Sequence, residues 1–148
     1  MQLQFIIKPF QELSVDELYQ ILKLRNEVFI VEQNCPYLDL DEKDQKGLHL
    51  VGYEGNNIAV YTRLLPKGIS YADVSIGRVI TAKAYRSLGL GKVLMQQSIK
   101  ACHESFGQAP IRISAQYHLV KFYGSLGFEA LGNPYDEDGI PHIEMLLS

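Results

Sequence analysis

Long apolar runs, blocks of basic residues and closely spaced cysteines are all missing from this sequence. No stretch approaches the ~20 consecutive apolar residues of a membrane-spanning helix, and the opening MQLQFIIKPF has no basic segment followed by an apolar core and a small-residue cleavage site. The expectation is a cytoplasmic protein with no membrane partner. The formal net charge is -3, and no cluster of lysines and arginines could neutralise successive phosphates of a polymer, which argues against nucleic acid. A single phosphorylated ligand needs only a local site and is not excluded. The two cysteines, Cys35 and Cys102, lie far apart and form no metal-ligand spacing, so reduced thiols and no metal are expected.

What is present suits one folded unit. The 148 residues, 47% hydrophobic and 21% charged, have the composition of an ordinary globular protein, and a chain of this length can bury about 70% of its unfolded surface in one core. We expect a single domain over residues 1–148.

The periodicities alternate between strand and helix. Leu3, Phe5 and Ile7 repeat every second residue, the pattern of a half-buried strand that Pro9 closes. Ser14 and Glu17 have the spacing of a capping box, with Leu13 and Leu18 placed as a hydrophobic staple, and a helix is expected through Val28 and Phe29. The polar segment from Gln33 to Gly47 reads as a long loop with at most a short helix. LHLVGYE and IAVYTRLL, separated by GNN, form a hairpin, and YADVSIGRVIT is the next strand. A helix from about Leu90 is stopped by Gly107, IRISA is a short strand, and Leu119, Phe122, Tyr123 and Leu126 have helical spacing ended by Gly127. FEAL and HIEMLL are closing strands on either side of the turn-rich GNPYDEDGIP. The layout is mixed α/β (α+β) with no internal repeat.

The stretch YRSLGLGKVLMQQ, Tyr85 to Gln97, carries two glycines where a helix begins. A glycine inside a helix costs about 0.5–1 kcal/mol relative to alanine, so two within three residues point to a use for bare backbone. A strand that feeds a glycine turn and a helix N-terminus presents unpaired N–H groups and the positive end of the helix dipole, an anion site. The dinucleotide pattern fails because Leu94 stands at its third glycine, and the P-loop fails at Arg86 and Val93. What remains is RSLGLG, an arginine, two residues, glycine, one residue, glycine.

This motif resembles the pyrophosphate-binding loop of the GNAT superfamily of acyl-CoA-dependent N-acetyltransferases. QYHLVKFYGSLGF is similar to the family segment ending in YxxLGF, with Gln116 where many members carry asparagine. LRNEVFIVEQNCPYLDLDEKD, HLVGY, SIGRVI and YDEDGIPHIEM extend the resemblance over nearly the whole chain, to the ElaA-like branch. The resemblance implies a central, mostly antiparallel twisted sheet flanked by helices, with acyl-CoA bound where two central strands splay apart. It implies acetyl-CoA as cofactor, released as coenzyme A, and an amine acceptor, small molecule or peptide, reached directly without a covalent enzyme intermediate. Homodimers are common in that superfamily.

Residue roles follow from the same resemblance. Arg86, Ser87, Leu88, Gly89, Leu90, Gly91 and Lys92 would hold the pyrophosphate, Val79, Ile80 and Thr81 the pantetheine chain by their backbone, and Gln116 would line the cofactor side. Tyr123 matches the tyrosine that faces the thioester sulfur; its spacing equally suits a core aromatic. On the acceptor side an ammonium must lose a proton. Glu32, Asp44, His49, His142 and Glu144 are all open as the base, and Tyr37 joins Glu32, Asp44, His49 and His142 as a substrate contact. Arg25 and Arg78 either serve the site or pair with buried carboxylates. Two acidic tracts, Asp39, Asp41, Glu42 and Asp44, then Asp136, Glu137 and Asp138, are either solvated loop charge or an attraction for a cationic amine. A second class of function, an acyl-CoA sensor without catalysis, shares these features.

Overall fold

The computed structural model describes all 148 residues. A seven-stranded sheet runs in the order β1-β2-β3-β4-β5-β7-β6. Its strands are β1 (Gln4–Pro9), β2 (Leu48–Glu54), β3 (Asn57–Leu65), β4 (Val74–Thr81), β5 (Ile111–Gln116), β6 (Glu129–Glu137) and β7 (Ile140–Leu147). Every neighbouring pair is antiparallel except β4 with β5, which the 17-residue helix α2 (Leu90–Phe106) connects. A parallel pair needs a crossover of that kind. No helix is long and apolar enough to cross a membrane.

The alternation of side chains along the strands divides the core between two faces. Val51, Tyr61 and Ile80 point to one face and pack with Ile21 and Leu24 of helix α1 (Val15–Arg25). Their sequence neighbours Leu50 and Val60 point to the other, against Leu90 and Leu94 of α2. Met95 and Cys102 extend the α2 contact over Ile76, Ile111, Ile113 and Met145, and this largest cluster takes in Tyr123 and Phe128. The capping box at α1 forms as its spacing dictates: Ser14 Oγ accepts from the Glu17 amide at 3.0 Å and Glu17 Oε1 accepts from the Ser14 amide at 2.8 Å.

Three local readings of the sequence change. The first helix is α-helical only to Arg25 and continues as a π-helix from Asn26 to Glu32, a widened coil of the sort found at functional sites. The last helix is short. A 3-10 turn, Tyr117–Leu119, leads into α3 (Val120–Gly124), and the Tyr123 carbonyl then accepts from the amides of both Leu126 and Phe128, which winds the chain out of the helix. The segment GNPYDEDGIP is mostly strand. Gly132, at φ 69°, lies in an irregularity between Leu131 and Tyr135, after which β6 resumes; the reversal itself is Asp138 and Gly139 alone. Both have positive φ, 53° and 81°, as a two-residue hairpin turn demands.

Candidate active site

The parallel pair at the centre of the sheet is incomplete. β4 and β5 are in register only at Val74 with Ile111 and Ser75 with Arg112. Beyond them the strands separate, and a cleft of about 540 Å³ opens between. Val79, Ile80 and Thr81 form one wall, Ser114 and Gln116 the other, with Phe122 and Tyr123 beside them. An irregularity in β4 feeds the separation. Between the paired positions Tyr61–Ile80 and Arg63–Gly77, β4 carries one more residue than β3, and Arg78 stands there at φ 51°. A non-glycine residue in that region costs of order 1–3 kcal/mol and needs surrounding structure to hold it.

Two carboxylates supply that hold, and a third ties them into a wider cluster. Arg78 Nε lies 2.8 Å from Asp39 Oδ1 and its Nη2 lies 3.2 Å from Asp41 Oδ2. Arg63 binds both oxygens of Asp41 and also Asp44, while Arg25, fully buried, reaches Asp39 at 2.9 Å and Asp44 at 2.7 Å. Burial pushes the Asp41 carboxyl up, but Arg63 and Arg78 outweigh it and hold the group down at about 2. Asp44 is held down in the same way by Arg25 and Arg63 against the opposing effect of burial. His49 adjoins this cluster, its Nδ1 2.7 Å from the Tyr61 hydroxyl and its Nε2 2.9 Å from the Asp44 carbonyl. Asp44 and His49, expected at the acceptor side, therefore lie in the buried ionic cluster and do not line the cleft. Packing of the loop against Arg25 and Arg63 takes them there. Arg63 gave no sign of this role in the sequence, since it lies on β3 and meets the loop carboxylates only in the folded sheet.

At one end of the cleft the chain makes the glycine turn. Ser87 and Gly89 both have positive φ, 67° and 75°, and Gly89 is the residue before α2. No backbone amide from Ser87 to Lys92 donates to a turn, loop or cap carbonyl, so a row of N–H groups stands unpaired at a helix start. The two glycines have different reasons. A Cβ on Gly89 would meet nothing within 4 Å, and its positive φ is what requires glycine. A Cβ on Gly91 would stand in the cleft, 3.6 Å from Phe122 Cζ and 4.0 Å from Thr81 Oγ1. Arg86 lines the cleft but is turned across it: its Nε donates to the Thr81 carbonyl, and its two terminal nitrogens grip Glu32 at 2.9 and 2.8 Å.

Tyr123 is 6% exposed, edge-on to both Phe122 and Phe128, and it lines the cleft. Burial pushes its phenol up to about 12. Opposite, Glu32, Tyr37 and His142 also line the cleft, as do Glu137 and Asp138 of the hairpin. Burial raises the Tyr37 phenol to about 12 against the lowering effect of Arg78. Glu144 is absent from the lining and pairs with Arg112 at 2.9 Å. The sequence did not single out Cys35 or Ser114 as cleft residues. Cys35 donates from Sγ to the Asp138 carbonyl at 2.9 Å, tying the first long loop to the hairpin, and Ser114 hydrogen-bonds the Tyr135 hydroxyl.

A sheet parted at one parallel pair, with a bare helix start at the end of the gap, is the framework of acyl-CoA acyltransferases. The profile of the acetyltransferase (GNAT) domain matches residues 14–148, and the chain belongs to that family as an N-acetyltransferase. Among its relatives, protein ElaA of Escherichia coli (strain K12) is 43% identical over 136 residues, 90% of this chain and 89% of that one. A UPF0039 protein of Schizosaccharomyces pombe is 40% identical over 147 residues, 98% and 97% of the two chains. Among solved structures, an acyl-CoA N-acyltransferase from Pseudomonas aeruginosa superposes with a TM-score of 0.95 at 39% identity, covering 99% of this chain and all of that one. E. coli ElaA superposes at 0.93 and 38%, with the same coverage. The family and the ElaA-like branch expected from the sequence are borne out, and the mixed α/β fold with them.

Proposed function

We propose that residues 1–148 form one cytoplasmic acetyltransferase domain that moves acetyl from acetyl-CoA directly to a primary amine, on a small molecule or peptide that carries further positive charge. The observation that carries this reading is the early end of the β4–β5 pairing, which leaves the cleft-side edge of β4 at Val79, Ile80 and Thr81 without a strand partner, the Thr81 carbonyl held only by Arg86, along a cleft walled by Tyr123. The residues present fit the cofactor. An extended amide-bearing chain adds to an open strand edge by main-chain hydrogen bonds, and a diphosphate suits the unpaired amides from Ser87 to Lys92, where the absent Cβ of Gly91 leaves room. Gln116 lines the same gap from β5. Acetyl-CoA supplies the acyl group as a thioester whose sulfur leaves with the bonding electrons.

Tyr123 acts as a hydrogen-bond donor to that sulfur. With its phenol near 12 and an ordinary thiol near 8.5, full proton transfer is uphill by about 5 kcal/mol. A fixed donor aimed at developing charge still contributes. The cysteines support direct transfer. Burial pushes the Cys102 thiol up to about 12, and Cys35 has its thiol proton committed to the Asp138 carbonyl. Positive charge on the acceptor suits the exposed Glu137 and Asp138 on the cleft.

The test is thiol release from acetyl-CoA across polyamines, amino acids, amino sugars and lysine peptides. Release that depends on a cationic amine, and falls about 10²–10³-fold in folded Tyr123→Phe, is expected. Binding of acetyl-CoA with no release from any amine would replace this reading with a sensor.

A further inference from the structure

We propose that His142 is the base that takes the proton from the acceptor amine, with Glu137 beside it receiving the arriving ammonium; this rests on the acetyltransferase reading above. Of the five residues that sequence spacing leaves open, four are committed elsewhere. Asp44 is shared between Arg25 and Arg63, and His49 is held in the same buried cluster; neither lines the cleft. Glu144 pairs with Arg112 outside the cleft lining, and Glu32 is gripped through both oxygens by Arg86. His142 is the one that lines the cleft without an arginine partner.

Its orientation is fixed by three contacts. Nδ1 lies 2.7 Å from the Ile140 carbonyl, and because a carbonyl only accepts, Nδ1 carries the hydrogen and donates it. The nitrogen that gains and loses a proton is therefore Nε2. That atom stands 3.2 Å from Glu137 Oε2, whose side chain is half exposed, whereas the imidazole is 10% exposed. Tyr135 stacks on the ring at 6.3 Å between centroids and 25° between planes. The charged and titratable groups around it include Tyr135 and Glu137 on β6, Asp138 in the hairpin turn, His118 on the cleft in the 3-10 turn that packs against β7, and Glu144 on its own strand, the last neutralised by Arg112 of β5. Gln116 of β5 is its cross-strand partner.

The pair divides the acceptor chemistry. Glu137 meets the ammonium, and one proton passes from nitrogen to Nε2. The freed lone pair forms the C–N bond as the acyl C–S bond breaks. The sulfur keeps the bonding pair and takes the nitrogen's second proton, and His142 returns its own to water. Ammonium and thioester thus become amide, thiol and one released proton.

The experiment compares wild type with His142→Gln and His142→Asn on an amine that the thiol-release panel identifies, across pH 6–10, with acetyl-CoA binding followed by calorimetry. We expect kcat/KM near pH 7 to fall about 10²–10³-fold, the acidic limb of the wild-type profile to vanish, and activity to recover towards the amine's own pKa near about 10, with acetyl-CoA affinity unchanged. Glu137→Gln should raise KM for the amine about tenfold. In the wild-type protein, ¹⁵N-imidazole NMR should show hydrogen on Nδ1 and titration at Nε2. An active wild type whose His142 variants keep its profile, or a ring protonated on Nε2 when neutral, would overturn the assignment and leave the acetyltransferase standing. A wild type that binds acetyl-CoA and acetylates no amine would overturn both.

Discussion

Two acidic tracts, Asp39 to Asp44 and Asp136 to Asp138, look alike as sequence and end in opposite environments. The first is drawn inward: Asp39 and Asp44 are buried, and with Asp41 they are neutralised by Arg25, Arg63 and Arg78. The second stays exposed on the hairpin, with no arginine or lysine partner for Asp136, Glu137 or Asp138 within salt-bridge distance. Negative charge therefore has two separate jobs here. One tract holds a strained strand in place; the other is left free to act on what approaches the cleft.

The sharpest way to break the comparison is to remove Asp44. Arg25 is fully buried, and loss of a carboxylate partner leaves it undercompensated. Asp44→Ala should cost about 3–5 kcal/mol by urea unfolding. A loss below 1 kcal/mol would mean that Asp39 alone satisfies Arg25.

Acid should separate the tracts next. The Asp41 carboxyl is held down to about 2, so the stability it contributes is complete above its ordinary value near 4 and is lost as pH falls from there towards 2. Asp44, also held down, acts in the same direction. Urea midpoints between pH 6 and 2 should fall within that window, and Asp136→Asn should leave the fall unchanged. A midpoint flat across it would show that the cluster tolerates protonation.

The smallest effect on stability is expected at the hairpin tip. Asp138→Asn should change stability by no more than about 0.5 kcal/mol, while KM for a cationic amine rises about threefold, an increase that added salt abolishes. Unchanged KM would restrict the acceptor's attraction to Glu137.

Sequence reading reached what local chemistry decides. Ser14 and Glu17 cap their helix as a matter of spacing, and the turn through Gly89 follows from a conformation that glycine adopts freely. The opening strand, the first hairpin and the stop at Gly107 were legible for the same reason. His49 and His142 were not distinguishable. Each sits in a strand-like run, and only the register of β2 against β3, and of β7 against β5, sends one into an ionic cluster and the other into the cleft. The fate of the first acidic tract was hidden likewise, because its three arginines come from α1, β3 and β4 and meet only in the folded sheet. The hairpin was misjudged because Gly132, Asn133 and Pro134 read as a stop, whereas β6 absorbs them and continues.

The position of β6 at the outer edge of the sheet has a further consequence. Residues proposed for the donor belong to β4, the glycine turn, the end of β5 and α3, whereas those proposed for the acceptor are concentrated on the β6–β7 ribbon, whose outer strand has no neighbour beyond it. Lengthening, shortening or recolouring β6 disturbs no strand pairing but its own with β7. Descendants of this scaffold can therefore change clientele by editing the margin while inheriting the acyl-handling half intact.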